Sequence, residues 1–537
     1  PQVEKARKDQ VRNNAGGYVF QLDRWKRLDR FLILGTEGGT YYVGERAHTK
    51  QAAASVVECI EEDGPRVVAR IVEISDAGRA MKNDPAIFAL AMCAGAENVA
   101  TRQAALAAIP KVCRIGTHLF HFAEDVEKFR RWGRSLRTAV GRWYNAKSPD
   151  DLAFQIIKYQ QRDGWSHKDV LRLTHPSPAT PVHQAIYRYV ALGAGEMGSP
   201  RAGKRDKNPV EADKLPAIIG AFEEIHREGV DVAKACKLIS DFRLPHECVP
   251  NELKGDPRIW EAMLPSMGIT AVIRNLGKMS SIGLTKGLCS TTNAIASRIS
   301  SGEALKKGRV HPMQILYALK TYASGHGVKG SLTWEPEHAI IDALDEAFYL
   351  SFTAVEPTGK ATMLALDVSG SMGGHMSGTT VSCREASAAM AMVTARVEKN
   401  WLCVGFTSGG GGWGGASTAL SKLNVSPRQR LDDIVRAISG LDFGRTDCAL
   451  PVLYATENKL QVDVFHVYTD SETYHGNVHP FQALREYRQK SGRNAKLVVV
   501  GMTATNFSIA DPSDAGSLDV VGFDSATPNA VAEFVKD

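Results

Sequence analysis

LALDVSGSM, Leu364 to Met372, is the stretch on which the fold turns. Met363 to Leu366 are apolar, and Asp367, Ser369 and Ser371 follow at alternate positions with Gly370 between the serines. An apolar run that breaks into small polar residues reads as a parallel strand whose C-terminal end opens into a tight loop. Ligand sites of open α/β sheets lie at such ends. Outward from this strand, after Glu356-Pro357-Thr358-Gly359, strand-like and helical segments alternate: ATMLALDV, VSCREASAAMAMVTARVEK, WLCVGFTS, PRQRLDDIVRAIS, CALPVLYATENK, VDVFHVYTD, FQALREYRQK and AKLVVVGM. That alternation predicts a doubly wound, mainly parallel sheet over residues 356–537.

Asp367, Ser369 and Ser371 can turn their oxygens toward one point. A carboxylate and two hydroxyls are hard ligands suited to Mg²⁺ first, and also to Mn²⁺ or Ca²⁺, yet too few to fill an octahedral shell. Thr446, in FGRTDC before a helix, and Asp470, at the end of VFHVYTD, stand on what should be the same rim of the sheet. The plainer alternative is a hydrogen-bonded turn, which Asp and Ser often make. A phosphatase with an aspartyl nucleophile would want a carboxylic acid two residues on, where this chain has Ser369. GxxxxGK[ST], HExxH and CxxC are all missing. A metal with an open position and no neighbouring base suits the gripping of a carboxylate better than hydrolysis.

Upstream the pattern differs. From about Asn83 to Phe352, amphipathic helical stretches of ten to twenty residues follow one another across short Gly, Pro or Ser breaks, as in DPAIFALAMCAGA, HLFHFAEDVEKFRRW and HAIIDALDEAFYLSF. Helix pairs without an exact period predict a HEAT-like solenoid, placed at residues 1–355. Two breaker-rich segments, Ser199–Pro209 and Ser408–Gly415, are expected as surface loops. With 44% hydrophobic and 23% charged residues and no long apolar run, the chain has the composition of a soluble protein without a membrane span. The opening PQVEKARKDQ has no signal-peptide core, and nine cysteines stand singly, which together predict a reducing, cytoplasmic setting. Residues 356–537 carry 16 Lys and Arg against 19 Asp and Glu, so the chain's balance of +6 belongs to its N-terminal two thirds. Such asymmetry is compatible with a polyanionic partner.

The strand with DxSxS, Thr446 and Asp470 resembles the metal-ion-dependent adhesion site of von Willebrand factor A domains. The whole chain resembles the Ro sixty-kilodalton ribonucleoprotein family, the TROVE-domain proteins, through RFLILGTEGGTYY (30–42), AIPKVCRIGTHLF (108–120), WGRSLRTAVGRWYN (132–145), KYQQRDGWSHKDVLRLTH (158–175), IRNLGKM (273–279), EPTGK (356–360), RTDCALP (445–451), FSIADP (507–512) and GFDS (522–525). The resemblance implies an α+β multidomain protein, a ring of HEAT-like helices followed by a von Willebrand factor A domain. It also implies a nonenzymatic, monomeric RNA binder. Y-type small noncoding RNA would lie on the outside of the ring and the single-stranded 3′ ends of misfolded or precursor noncoding RNAs in its cavity. A 3′ exoribonuclease such as polynucleotide phosphorylase is the implied partner, and quality control, maturation or stress response the setting.

The family's RNA-contacting lysine, arginine and histidine match Lys158, Arg162 and His175. Four residues apart on a helix, Lys158 and Arg162 would share a face beside Trp165, His167, Lys168 and Arg172. Arg130, Arg134 and Arg137 would likewise share a helical face and contact phosphate, with Trp132 and Trp143 in the core. The alternative for the first cluster is a solvated helix face over a core tryptophan. Lys278, Lys306, Lys307 and Arg309 are weaker candidates, and His311 and His326 are expected to be structural. Arg445 is expected to place a cation beside the metal. The competing function is a protein-interaction scaffold working through a metal-dependent A domain.

Overall fold

The computed structural model describes residues 1–35, 53–193, 214–287, 289–352, 355–376, 379–407, 420–439 and 444–536; the two expected loops at 199–209 and 408–415 lie outside the described residues. Two short strands, β1 (Gln10–Arg12) and β2 (Tyr18–Gln21), open the chain. Helices then follow from Arg24–Leu34 to His338–Leu350, interrupted among the described residues by a small hairpin of β3 (Gln161–Arg162) and β4 (Trp165–Ser166). Long helices pack on the next or on the next but one: Ala54–Ala77 meets Asp84–Gly95 and Val99–Val112, and Val99–Val112 in turn meets Arg134–Asn145. A stack of this kind buries each helix face only against neighbours, as in HEAT-like solenoids.

The array comes round on itself. Arg309 Nη2 pairs with Asp76 Oδ1 at 2.8 Å, Gln314 Nε2 donates to the Met81 carbonyl at 2.8 Å, and His311 Nε2 bonds the Arg79 carbonyl at 3.1 Å. The expected ring therefore has a seam between its second helix and the segment entering Pro312–Ala323. Helices on one side of the array line a cavity of about 1360 Å³, with Asp150, Asp151, Phe154, Arg243, Arg298 and Lys307 on its wall.

The α/β domain contains β5 (Thr362–Asp367), β6 (Trp401–Phe406), β7 (Leu420–Lys422), β8 (Val464–Thr469) and β9 (Lys496–Gly501). Between β9 and the last sheet strand, β11 (Ser517–Val521), lies β10 (Phe507–Ser508). The sheet order is β11-β9-β8-β5-β6-β7, parallel throughout except for the β6–β7 edge pair. All six residues of β5 are buried, because helices cover both faces of a doubly wound sheet. Period-two alternation sends Met363 and Ala365 into one core, with Phe465, Val499 and Leu484. Leu364 and Leu366 enter the other, which runs without a break into the helical array through Ile340, Leu344 and Phe348. One face of the sheet thus shares its hydrophobic core with the array.

Polar contacts fasten the same junction at both ends of the array. Buried Arg30 meets the two Asp519 oxygens at 2.8 and 3.0 Å and the Thr505 carbonyl at 3.0 Å. Arg79 pairs with Asp524 at 2.6 Å, while from the other end Lys320 pairs with Glu385 at 2.7 Å and Asp345 accepts from Arg396 at 3.1 Å. Residues 1–21 are not part of the array: β1, β2 and β10 form a separate antiparallel sheet on the α/β domain. Among the described residues no helix is long and apolar enough to cross a membrane.

Candidate nucleic-acid interface and cation site

The basic segments meet on neighbouring elements of the array. Helix Arg134–Asn145 packs on helix His167–Thr174, and Gly141 faces Thr174 and Pro176 so closely that an added Cβ would lie 3.2 Å from the proline ring. Asn145 continues the contact by donating to the Ser177 carbonyl at 2.8 Å. The strip through Gly141 and Asn145 is thereby covered, and one turn upstream Arg134 and Arg137 stand exposed. His175 is exposed at the left-handed C-cap (φ 42°) of its helix, and Arg172 is exposed one turn before it. Lys168 is half-buried. Among the described residues, none of Arg134, Arg137, Lys168, Arg172 or His175 has a carboxylate within ion-pair reach. Arg134 and Arg137 also occupy the first turn of a helix with no acidic residue there, where the backbone dipole is already positive. Two cations placed against the macrodipole cost the free helix stability and make an anion-attracting terminus.

Four expectations are corrected. Arg130 is not helical: it lies between helices Gly116–Glu127 and Arg134–Asn145, and its Nη1 donates to the Ala94 carbonyl at 2.9 Å, because Gly133 ends the continuity the arginine spacing suggested. Lys158 and Arg162 do not share a helical face. Lys158 is the last residue of helix Pro149–Lys158, whereas Arg162 belongs to the β3–β4 hairpin, turned by Asp163 (φ 53°) and Gly164 (φ 79°). Two positive φ values in a two-residue loop are the signature of a type I′ turn, and Asp-Gly is its favoured sequence. The hairpin rests on helix Gly116–Glu127, with Trp165 Nε1 donating to Glu124 at 3.1 Å and His121 bonded to Asp163. Lys158 directs its ammonium to Glu247, 3.6 Å away, and over the Tyr159 ring, and only 17% of its side chain is exposed. Arg162 is exposed, its guanidinium 3.6 Å from Asp163. His167 belongs to the core, bonded to the Tyr144 hydroxyl at 3.0 Å, and burial lowers its pKa to about 3. Trp143 is buried as expected, while Trp132 is half-buried with its Nε1 on Glu127.

At the C-terminal ends of β5 and β8, Asp367, Ser369, Ser371, Thr446 and Asp470 are all buried. Asp367 Oδ1 accepts from the Ser369 amide at 2.9 Å and Oδ2 from Thr469 Oγ1 at 2.6 Å; the Ser369 and Ser371 hydroxyls lie 3.1 Å apart. Asp470 Oδ1 accepts the Glu472 amide at 3.0 Å; its buried Oδ2 makes no hydrogen bond of good geometry, although the Ser371 hydroxyl lies near enough to favour the ionised carboxylate. Burial, together with the charges of Asp367 and Glu472, pushes the Asp470 pKa up to about 8. An orphaned carboxylate oxygen among buried hydroxyls and a second carboxylate is a donor set that fits a hard divalent cation. Among the described residues no three His, Cys, Asp or Glu side chains form a metal-binding group; this set depends on hydroxyls.

The cation beside the DxSxS loop is not Arg445, whose side chain points to solvent. Buried Arg384, on helix Cys383–Val397, fills that place: Nη2 donates to the Val368 carbonyl at 2.9 Å and the Ser369 carbonyl at 3.3 Å; burial raises the Asp367 pKa, and the Arg384 charge opposes that rise only in small part. Thr469, Glu472 and Arg384 were not singled out in the sequence. Thr469 at least carried a signal, as the residue before Asp470 in VFHVYTD.

Two family models match this chain: the TROVE domain over residues 11–214 and 245–321, and the Ro60 vWA domain over residues 361–535. The RNA-binding protein RO60 of Deinococcus radiodurans is 39% identical over 540 residues, spanning 100% of this chain and 97% of that protein. The RNA-binding protein RO60 of Caenorhabditis elegans is 35% identical over 599 residues, spanning 99% and 91%. The crystal structure of the Deinococcus radiodurans RO (RSR) protein superposes with a TM-score of 0.70 at 38% identity, covering 96% of this chain and 99% of that one.

Proposed function

The chain belongs to the Ro60 family, and from that premise we propose that it is an RNA-binding scaffold acting in the quality control, maturation or stress-related decay of cytoplasmic noncoding RNA. A Y-type small RNA occupies the outer face of the array. The single-stranded 3′ end of a misfolded or precursor RNA enters the cavity, and a 3′ exoribonuclease such as polynucleotide phosphorylase works on RNA so held. The observation that carries this reading is the exposed set Arg134, Arg137, Arg172 and His175, free of carboxylates and built partly on a positive helix terminus. Arginines exposed on neighbouring helices without carboxylate partners bind a phosphate backbone through counterion release and position it without reading bases. Arg162 extends the surface on its hairpin, and Lys168 lies within it. Lys158 reaches phosphate only by leaving Glu247. Specificity then comes from RNA shape and strand accessibility.

Purification of the native protein at moderate salt without nuclease, followed by sequencing of the accompanying RNA, tests the reading. One small stem-loop RNA, lost from an Arg134→Ala/Arg137→Ala/Arg172→Ala variant that remains folded, is the expected result. No RNA above background in the wild-type preparation would overturn it.

A second reading is favoured by the unpartnered Asp470 oxygen. Asp367, Ser369, Ser371, Thr446 and Asp470 hold a divalent cation, Mg²⁺ by preference, that takes a carboxylate from a protein partner. A chelator should release a partner bound this way and leave RNA in place, whereas a several-fold rise in salt should do the reverse.

A further inference from the structure

The loop that carries Asp470 is not held by its own domain alone. Residues 1–21 cross it as a strap. Gln2 Nε2 donates to Asp447 Oδ1 at 2.7 Å and to the Val478 carbonyl at 2.8 Å, and its Oε1 accepts from Thr473 Oγ1. Asn13 Nδ2 donates to the carbonyls of Ser471 and Thr473 at 3.2 and 2.8 Å. Asn14 Nδ2 and the Ala15 amide take the two oxygens of Glu472 at 2.7 and 3.0 Å. The approach is so close that a Cβ on Gly17 would lie 1.9 Å from the Thr473 carbonyl oxygen, so only glycine fits there.

What the strap holds is what shapes the cation site. Glu472 gives its amide to Asp470 Oδ1, and the amides of Tyr474 and His475 bond the Thr446 carbonyl at 3.2 and 3.1 Å. The 470–476 segment therefore sets the positions of two of the five candidate ligands, and it does so through a strained point, Ser471 at φ 62°. Without the strap, Glu472 would lose two donors, and the segment would lose the contacts that oppose relaxation of Ser471.

We propose that Asn14 and Gln2 are positioning residues for the cation site: the strap holds the 470–476 loop in the geometry that binds a divalent ion, so cation affinity depends on residues far from the ligands in sequence. This rests on the reading of Asp367, Ser369, Ser371, Thr446 and Asp470 as a cation site. Coupling of this kind is reciprocal, and an ion bound at the site must in turn tighten the strap.

The test uses the full-length protein stripped with chelator and titrated calorimetrically with Mn²⁺. Asn14→Ala and Gln2→Ala should each weaken binding about tenfold, equivalent to about 1.4 kcal/mol. Arg7→Ala, which loosens the same strap where it pairs with Asp511 away from the loop, should change it less than about twofold. In wild-type protein, which needs no variant to fold, Mn²⁺ should slow hydrogen exchange of the Ala15 and Gly17 amides. Unchanged Mn²⁺ affinity in folded Asn14→Ala and Gln2→Ala, or strap amides indifferent to Mn²⁺, would overturn the positioning role while leaving the cation site standing. If wild-type protein takes up no Mn²⁺, the cation reading falls and the positioning role with it.

Discussion

Lys158 and Arg172 are both cations of the proposed RNA surface, yet their surroundings differ. Lys158 is tethered to Glu247 and largely covered, whereas Arg172 is exposed and has no carboxylate near it among the described residues. A phosphate that recruits Lys158 must first displace a carboxylate, so removing this lysine should matter less. Lys158→Ala is expected to lower RNA affinity less than about threefold, while Arg137→Ala and Arg172→Ala each lower it about five- to tenfold and reduce the slope of log K against log salt by about one. Filter binding at four salt concentrations distinguishes the two patterns, and equal losses for all three would remove the distinction. The DxSxS residues were legible at this scale because strand alternation alone fixes where they sit. Arg384 was not, because a helical repeat does not say which residue of a first turn reaches back to a sheet end. Arg445, adjacent in sequence to Thr446, drew the expectation that Arg384 fills.

A hairpin of six residues shows where element-level reading failed. KYQQR contains good helix formers and continues the preceding helix without interruption, so Lys158 and Arg162 were expected on one face. The Asp-Gly pair that follows was the stronger signal, since both residues readily take the positive φ that a type I′ turn requires. Gly164→Val puts a β-branched side chain at φ 79° and should cost about 1–2 kcal/mol of local stability. It should also weaken RNA binding, because the turn aims Arg162. Proteolysis of the 160–166 segment and filter binding, compared with wild type, check both; an unaltered cleavage rate would show that the turn does not depend on glycine. Most strands and helices of the α/β domain up to β9 were legible because their apolar periods are unbroken, whereas β11 (Ser517–Val521) and the last helix (Thr527–Lys536) were not anticipated. The two- to four-residue strands were not, having too few residues to display a period.

For the whole molecule, solenoid followed by parallel sheet could be read from the switch in hydrophobic period near Glu356, but not how the two are joined. The shared core and the Arg30–Asp519 pair link residues hundreds of positions apart, which no local pattern reports. The seam has a consequence for acid stability. His311 accepts from the Met313 amide through Nδ1 and so presents a protonated Nε2 to the Arg79 carbonyl, an arrangement that requires a neutral ring. Burial lowers the pKa of His311 and His466 to about 4 and of His167 to about 3. In the unfolded chain each has a pKa near 6.5, so below that value the unfolded state binds protons that the folded state refuses. These rings contribute stability in full above about pH 6.5, and it declines by up to about 1.4 kcal/mol per pH unit for each ring as the pH falls toward 4. Denaturant unfolding at pH 7.5, 6 and 5 should show that decline, and His311→Gln should make it shallower by one ring's share; a flat profile in the wild type would refute it. The pairing of β2 with β10 bears, finally, on synthesis: Phe20 cannot find Ser508 until almost all of the intervening chain has left the ribosome. At about 5–20 residues per second that is on the order of half a minute to a minute and a half, during which the β1–β2 hairpin waits without its third strand.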